Sequence, residues 1–276
     1  MTALCLNTKH YKYSVTGTIM ISDTDVKRLY KDAQGILTRD MNCNQLLNAQ
    51  LSDLRMHSQF YRGRSPHTWV NQHPASCKRH TSAFITFKII PEYCFNCYKI
   101  VIEPRTVLEL FKLMMVFAQI KLPTDNTRKC TVEIREQASG DYKGFIYCRE
   151  LKEGKKLVKI LQKIITREIA KDIPITLKRG CSEFAEVFPE YTQTSHGAKM
   201  MRYNKEWRKF EDIIDKKMAL TPSPSTSISY NHPSYNLQDV HAMFFWLRYA
   251  ASIGDTSYLE ITGDTLQPFP DLKNHK

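Results

Sequence analysis

Cys77-Lys-Arg-His80 and Cys94-Phe-Asn-Cys97, separated by thirteen residues, form two short knuckles of thiol and imidazole groups. Zinc takes four such ligands in a tetrahedron, and a C-x2-H knuckle beside a C-x2-C knuckle supplies them. Cys77, His80, Cys94 and Cys97 are therefore the candidate metal ligands of a closed, structural zinc site, with His67 and His73 as spares. Two other readings stay open. Cys94 and Cys97 can be core thiols at the edge of a strand, with Cys77 and His80 on a surface loop. A redox pair at Cys94 and Cys97 is the other, although such motifs open a helix and here a strand follows.

Basic residues interleaved with aromatics point to a second chemistry. Phe60-Tyr61-Arg62-Gly63-Arg64, with Trp69, Lys78 and Arg79 nearby, offers guanidinium groups to phosphates and ring faces to bases. Further on, Arg202, Lys205 and Arg208 crowd one side of an apolar stripe made by Met200, Tyr203, Trp207, Phe210 and Ile214. The formal net charge of +12 and pI near 9.2 favour a polyanionic partner, nucleic acid first and anionic membrane second. Within a segment of alternating residues, Lys143-Gly144-Phe145-Ile146-Tyr147 resembles part of the RNP1 motif of RNA-recognition-motif domains. In that family the aromatics stack on unpaired bases, which implies Phe145 and Tyr147 as stacking residues. Ile146 stands where the motif has a small residue, and Glu150 where it has its last aromatic.

Signals for catalysis are sparse. The chain carries no P-loop, G-x-G-x-x-G, H-E-x-x-H or G-x-S-x-G, so the common nucleotide-hydrolase, zinc-protease and serine-hydrolase readings lack support. Glu103 and Glu133 are weak catalytic candidates: as paired carboxylates they would hold magnesium or manganese for phosphoryl transfer, with Lys178 and Arg179 on phosphate. Lys178-Arg179-Gly180-Cys181-Ser182-Glu183 also reads as a strand-to-helix turn that could receive an anion at a helix N-terminus.

These residues need elements to position them. A β-α-β-β-α-β unit over residues 98–180 is the clearest. Strands are expected at Tyr98–Glu103, Lys129–Glu136, Tyr142–Cys148 and Ile173–Lys178. The helices begin at Thr106, an N-cap with Glu109 three residues on, and at about Lys152. Alternation puts Ile100, Ile102, Val132, Ile134, Ile146, Ile175 and Leu177 on a core face. Lys99, Glu103, Glu133, Arg135, Phe145, Tyr147 and Lys178 fall on an open one, with strand three the weakest assignment because Phe145 and Tyr147 could be the buried pair.

The N-terminal region, 1–97, reads as loop-rich. It has strands at Tyr11–Ser22 and Ala83–Ile90 and a helix that begins near Asp25 or, with clearer spacing, at Leu46, Leu47, Leu51 and Leu54. A basic helical extension (181–220, with a long helix from Ala198 to Leu220), a Ser/Pro-rich linker (221–235) and an apolar helix at Asp239–Ser252 with a tail (236–276) complete the chain. That last helix needs a surface to pack on, either the main body or a protein partner.

The fold class is thus α+β, a ferredoxin-like core with a zinc-knuckle N-terminal region and helical C-terminal additions. No run reaches the roughly 18 apolar residues of a membrane span. Eight cysteines without a secretion signal fit a reducing compartment, and a cytoplasmic location is expected. The expected function is zinc-stabilised nucleic-acid binding; the alternatives are a metal-dependent enzyme on phosphodiesters or nucleotides, and a protein-interaction module.

Overall fold

The computed structural model describes residues 20–39, 66–71, 77–134, 138–194, 200–219, 235 and 237–268. Among them the fold is α+β, with a five-stranded antiparallel sheet and seven α-helices. In chain order these are α1 (Asp23–Arg39), β1 (His67–Val70), α2 (Cys77–Phe87), β2 (Tyr98–Ile102), α3 (Val107–Gln119), β3 (Arg128–Val132), β4 (Tyr142–Cys148), α4 (Leu151–Glu168), β5 (Ile175–Arg179), α5 (Arg208–Ala219), α6 (Leu237–Ile253) and α7 (Tyr258–Thr262). The strands lie in the order β1-β3-β4-β2-β5.

Local chemistry sets each turn of this path. Thr106 caps α3 by accepting from the Glu109 amide at 3.2 Å, while the Glu109 carboxylate reaches back to the Arg105 amide at 2.7 Å. Gly140 adopts a φ of 69°, which lets the chain turn from β3 into β4. The register sets Ile100 opposite Ile146 on one side and Leu177 on the other. A slip of one residue would turn every apolar side chain to the wrong face. Their shared face packs against α3 and α4, joined by α1, α6 and α7 in one apolar core that includes Phe111, Phe117, Leu161 and Trp246. The C-terminal helix does dock on the main body: Val240, Met243, Trp246, Leu247 and Ala250 are fully buried.

Two smaller clusters form a lobe at the end of the sheet where β2 begins and β5 finishes. Phe84, Ile90, Cys94, Phe184 and Tyr191 make one; Ala83, Ile89 and Ile214 make the other, where α2 meets α5.

Several expectations are corrected. Residues 83–90 are not a strand: α2 runs through Phe87, with Ala83 and Phe84 buried and Ile85 65 % exposed, a helical period rather than one of two. The helix expected from Ala198 starts only at Arg208. Asn204 accepts from the Glu206 amide at 3.0 Å, capping a 3-10 turn (Lys205–Trp207) ahead of α5, and this polar cap outweighs the apolar spacing upstream. The second strand of the central unit ends at Val132, leaving Ile134 39 % exposed rather than in the core. In the N-terminal region α1 does form near Asp25, closed by reciprocal bonds in which Asp25 accepts from the Ser22 amide at 2.9 Å and Ser22 from the Asp25 amide at 3.2 Å. The four residues of β1 were not foreseen. The helix expected around Leu46–Leu54, most of the strand expected at Tyr11–Ser22, and most of the Ser/Pro-rich linker lie outside the described residues.

Candidate nucleic-acid interface

With the helices of the core on one side, the other face of the sheet takes the alternate residues of the same strands. The Trp69 ring (β1) lies 6.0 Å from the Tyr147 ring (β4), tilted by 32°. Lys129 (β3) places its ammonium 5.4 Å from the centre of the Trp69 ring, and Lys99 (β2) sits 5.1 Å from that of Tyr147. His67 meets the edge of Trp69 at 5.3 Å. Phe145, opposite both Lys129 and Val101, shares the face. Trp69, Lys129, Phe145, Tyr147 and Lys99 are each half-buried, so part of every one reaches the surface. Cation–π contacts of this kind hold rings in fixed orientation. Burial, opposed by the Lys99 charge, pushes the Tyr147 hydroxyl up to about 12, so it stays a donor at neutral pH. Phe145 and Tyr147 therefore lie on the open face and Ile146 in the core, as alternation requires. Lys129 is the contributor the sequence reading left out, although its spacing of two from Thr131 already placed it on this face.

The remaining basic candidates go different ways. Arg79 is held by α5: it donates to Glu211 at 2.9 Å and to Asp215 at 2.8 Å, and its pKa rises chiefly through the Asp215 bond. Arg179 is buried. Lys178 donates to the Ser182 hydroxyl at 2.5 Å. Arg202, Lys205 and Arg208 are exposed, Arg208 pairing with Asp212 at 3.1 Å. Arg62, Arg64 and the Lys78 side chain lie outside what the structure describes. The element after Gly180 is a five-residue 3-10 turn, Ser182–Glu186, too short to offer the helix-terminus anion site expected there.

Of the two carboxylates named for a metal, Glu103 is engaged in an ion pair. Lys143, on the strand between them, pairs with Glu103, to which Ser139 also donates at 3.3 Å. The Glu133 backbone carbonyl accepts from the Tyr249 hydroxyl at 2.8 Å, fastening the end of β3 to α6.

The zinc knuckles are likewise rearranged. His80 stacks on Tyr93 at 5.3 Å, and its environment is Arg79, Glu211 and Asp215. Burial first, then the Arg79 charge, keeps its imidazole below the usual range. The neighbours that Cys94 feels are instead Cys181, Cys97 and Cys77, and Lys99 donates to the Cys181 sulfur at 3.1 Å. Burial pushes the Cys97 thiol up to about 11. As the side chains lie, no three His, Cys, Asp or Glu groups among the described residues could hold a metal ion.

The chain matches no protein-family model, no curated protein and no solved structure. Among the described residues, no helix is long and apolar enough to cross a membrane.

Proposed function

We propose that the protein binds single-stranded nucleic acid on the open face of its sheet. One observation carries this reading: Trp69 and Tyr147 stand side by side, half-buried, each with a lysine over its ring. Unpaired bases stack on such rings, and the lysines meet the backbone charge. Duplexes hide their base faces and gain only the charge term. The strand order β3-β4-β2-β5 inside the sheet, with α3 and α4 on one face, supports a ferredoxin-like reading of this unit and puts its two helices on the side away from Trp69 and Tyr147. Salt titrations of binding to single-stranded and duplex oligonucleotides test it. Preference for the single strand, lost together with Trp69 and Tyr147, is the expected result; absence of binding at low salt sinks the reading.

A second reading follows from the thiols. We propose that zinc, where the protein takes it up, is drawn between Cys77, Cys94, Cys97 and Cys181, with Cys181 in the place that spacing gave to His80. The support is that these four thiols neighbour one another, with the Lys99 ammonium 3.1 Å from the Cys181 sulfur; burial raises the Cys94 and Cys97 thiols, so the metal would have to displace their protons and turn the side chains together. Elemental analysis should find about one zinc per chain, in the manner of a closed four-ligand site, lost on Cys94→Ser and on Cys181→Ser but kept on His80→Ala. Zinc kept without Cys181, or no zinc at all, would rule this arrangement out.

A further inference from the structure

Arg179 presents a buried charge with an incomplete set of partners. It is 3 % exposed, and both terminal nitrogens donate to a single acceptor, the Met201 carbonyl, at 2.8 and 2.9 Å. The guanidinium lies against two rings that also touch each other, 5.3 Å from Phe95 and 5.2 Å from Tyr191. Its Nε has no hydrogen-bond partner, the one buried side-chain nitrogen or oxygen among the described residues left in that state. Ring faces offset part of the cost of burying a cation, but they do not satisfy an N–H. A buried guanidinium with no ion pair among the described residues is a group that an anion would stabilise strongly.

Space for that anion is at hand. A cleft of about 830 Å³ opens beside Arg179, lined also by Phe95, Tyr98, Glu190, Arg202 and Tyr203. It is wide-mouthed, so a ligand there would stay partly in solvent. The lining sorts into three chemistries. Arg179 and Arg202 suit a phosphate, which pairs with guanidinium groups in a fork. Phe95, Tyr98 and Tyr203 suit a flat ring. Glu190 repels a bare anion and favours a donor from the ligand: adenine presents its exocyclic amine, whereas uracil presents only N3–H, flanked by two carbonyl oxygens that a carboxylate repels.

We propose that this cleft binds a nucleoside monophosphate group with an amino-bearing base, its phosphate on Arg179 and Arg202 and its base between the rings and Glu190. The group can be a free nucleotide or the phosphorylated end of a strand. The cleft lies at the lobe end of the sheet and is built from residues other than the Trp69–Tyr147 face, so it stands or falls separately from the strand-binding reading.

The test is titration of the full chain with AMP, UMP and inorganic phosphate, followed by calorimetry and by the fluorescence of Trp207, whose ring is 6.4 Å from that of Phe95. Saturable AMP binding is expected, with UMP and inorganic phosphate weaker. Arg202→Ala, at an exposed position, should weaken AMP by about tenfold or more, the scale of one charge-assisted contact. Arg179→Lys should weaken it too while keeping the buried charge. Trp69→Ala should leave AMP binding unchanged even where it weakens strand binding. Tighter binding of a 5′-phosphorylated oligonucleotide than of its 5′-hydroxyl twin assigns the ligand to a strand end; AMP binding without that preference assigns the free nucleotide, and both support the cleft. No saturable AMP binding at low salt, or AMP binding indifferent to Arg202→Ala, overturns it; equal affinity for UMP removes the role given to Glu190.

Discussion

Within β4 two neighbouring residues belong to different worlds. Ile146 is fully buried against the helices, whereas Tyr147, one position on, shares a half-exposed face with Trp69 and Lys99. A strand that alternates faces writes a core and a candidate interface into the same stretch, so a substitution's consequence turns on whether its position is odd or even. One face is held by apolar burial, which no ligand can reach; the other invests its side chains in ring and cation contacts that a ligand can share or replace.

The sharpest way to break this comparison is to truncate both neighbours. Ile146→Ala should cost about 2–5 kcal/mol of stability in urea unfolding, the range for emptying a packed aliphatic site, with affinity for oligonucleotides unaltered wherever the chain stays folded. A stability loss no greater than that of Tyr147→Ala would mean that the faces have been assigned the wrong way round. Next in size, Trp69→Ala and Tyr147→Ala should each weaken binding to single strands by about 1–3 kcal/mol, the usual worth of one stacked base, and leave duplex binding nearly as it was. Equal losses for both forms would reduce the face to a charged surface.

Acidification sharpens the contrast between sheet and lobe. His80 is held below the ordinary imidazole value of 6.5, so below that value the unfolded chain takes up more protons and stability falls with the pH. For Glu211, burial works against ionisation, but the Glu92 amide, the Tyr203 hydroxyl and Arg79 outweigh it; for Asp215 the Arg79 bond leads. Both carboxyls are lowered, so the stability they contribute above the ordinary carboxylate range is lost as the pH drops through their folded values. The α2–α5 lobe should therefore loosen at a higher pH than the sheet, with Trp207 fluorescence changing before far-ultraviolet dichroism. Coincident changes would show the lobe to be no weaker than the core. The smallest effect is expected of Lys129→Ala: the slope of log affinity against log salt should fall by about 1, equally for all strand sequences.

The central unit was legible because its signals agree at every level. Thr106 caps where a cap was needed, Gly140 turns the chain, and Ile100, Ile102 and Ile146 take the core face as their spacing of two requires, although Val101 and Lys143 on the other face are buried as well. The lobe was not, because its determinants are long-range. Phe84 and Ile85 are β-formers in isolation, and only contact with Phe184 and α5 makes their segment a helix. The same holds for the candidate sites. Trp69, Phe145 and Tyr147 could be named from residue type, but the approach of Trp69 depends on the unforeseen strand β1, and which lysine meets which ring, Lys129 on Trp69 and Lys99 on Tyr147, is set by register. Arg79 looked like a phosphate contact until its carboxylate partners, more than 130 positions away, came into view. Cys181 joined the other thiols by a route that no local spacing reveals.

The two ends of the sheet carry a consequence for how copies of the chain meet. β1 is only four residues long and follows Pro66; β5 follows Pro174, and the Thr194 hydroxyl already occupies the Leu177 carbonyl at 3.0 Å. Among the described residues, neither border is a long strand with a continuous row of open backbone groups on which a foreign strand could lay itself down. Short, partly occupied margins of this kind disfavour strand-by-strand accretion, the route from a folded sheet to fibrils.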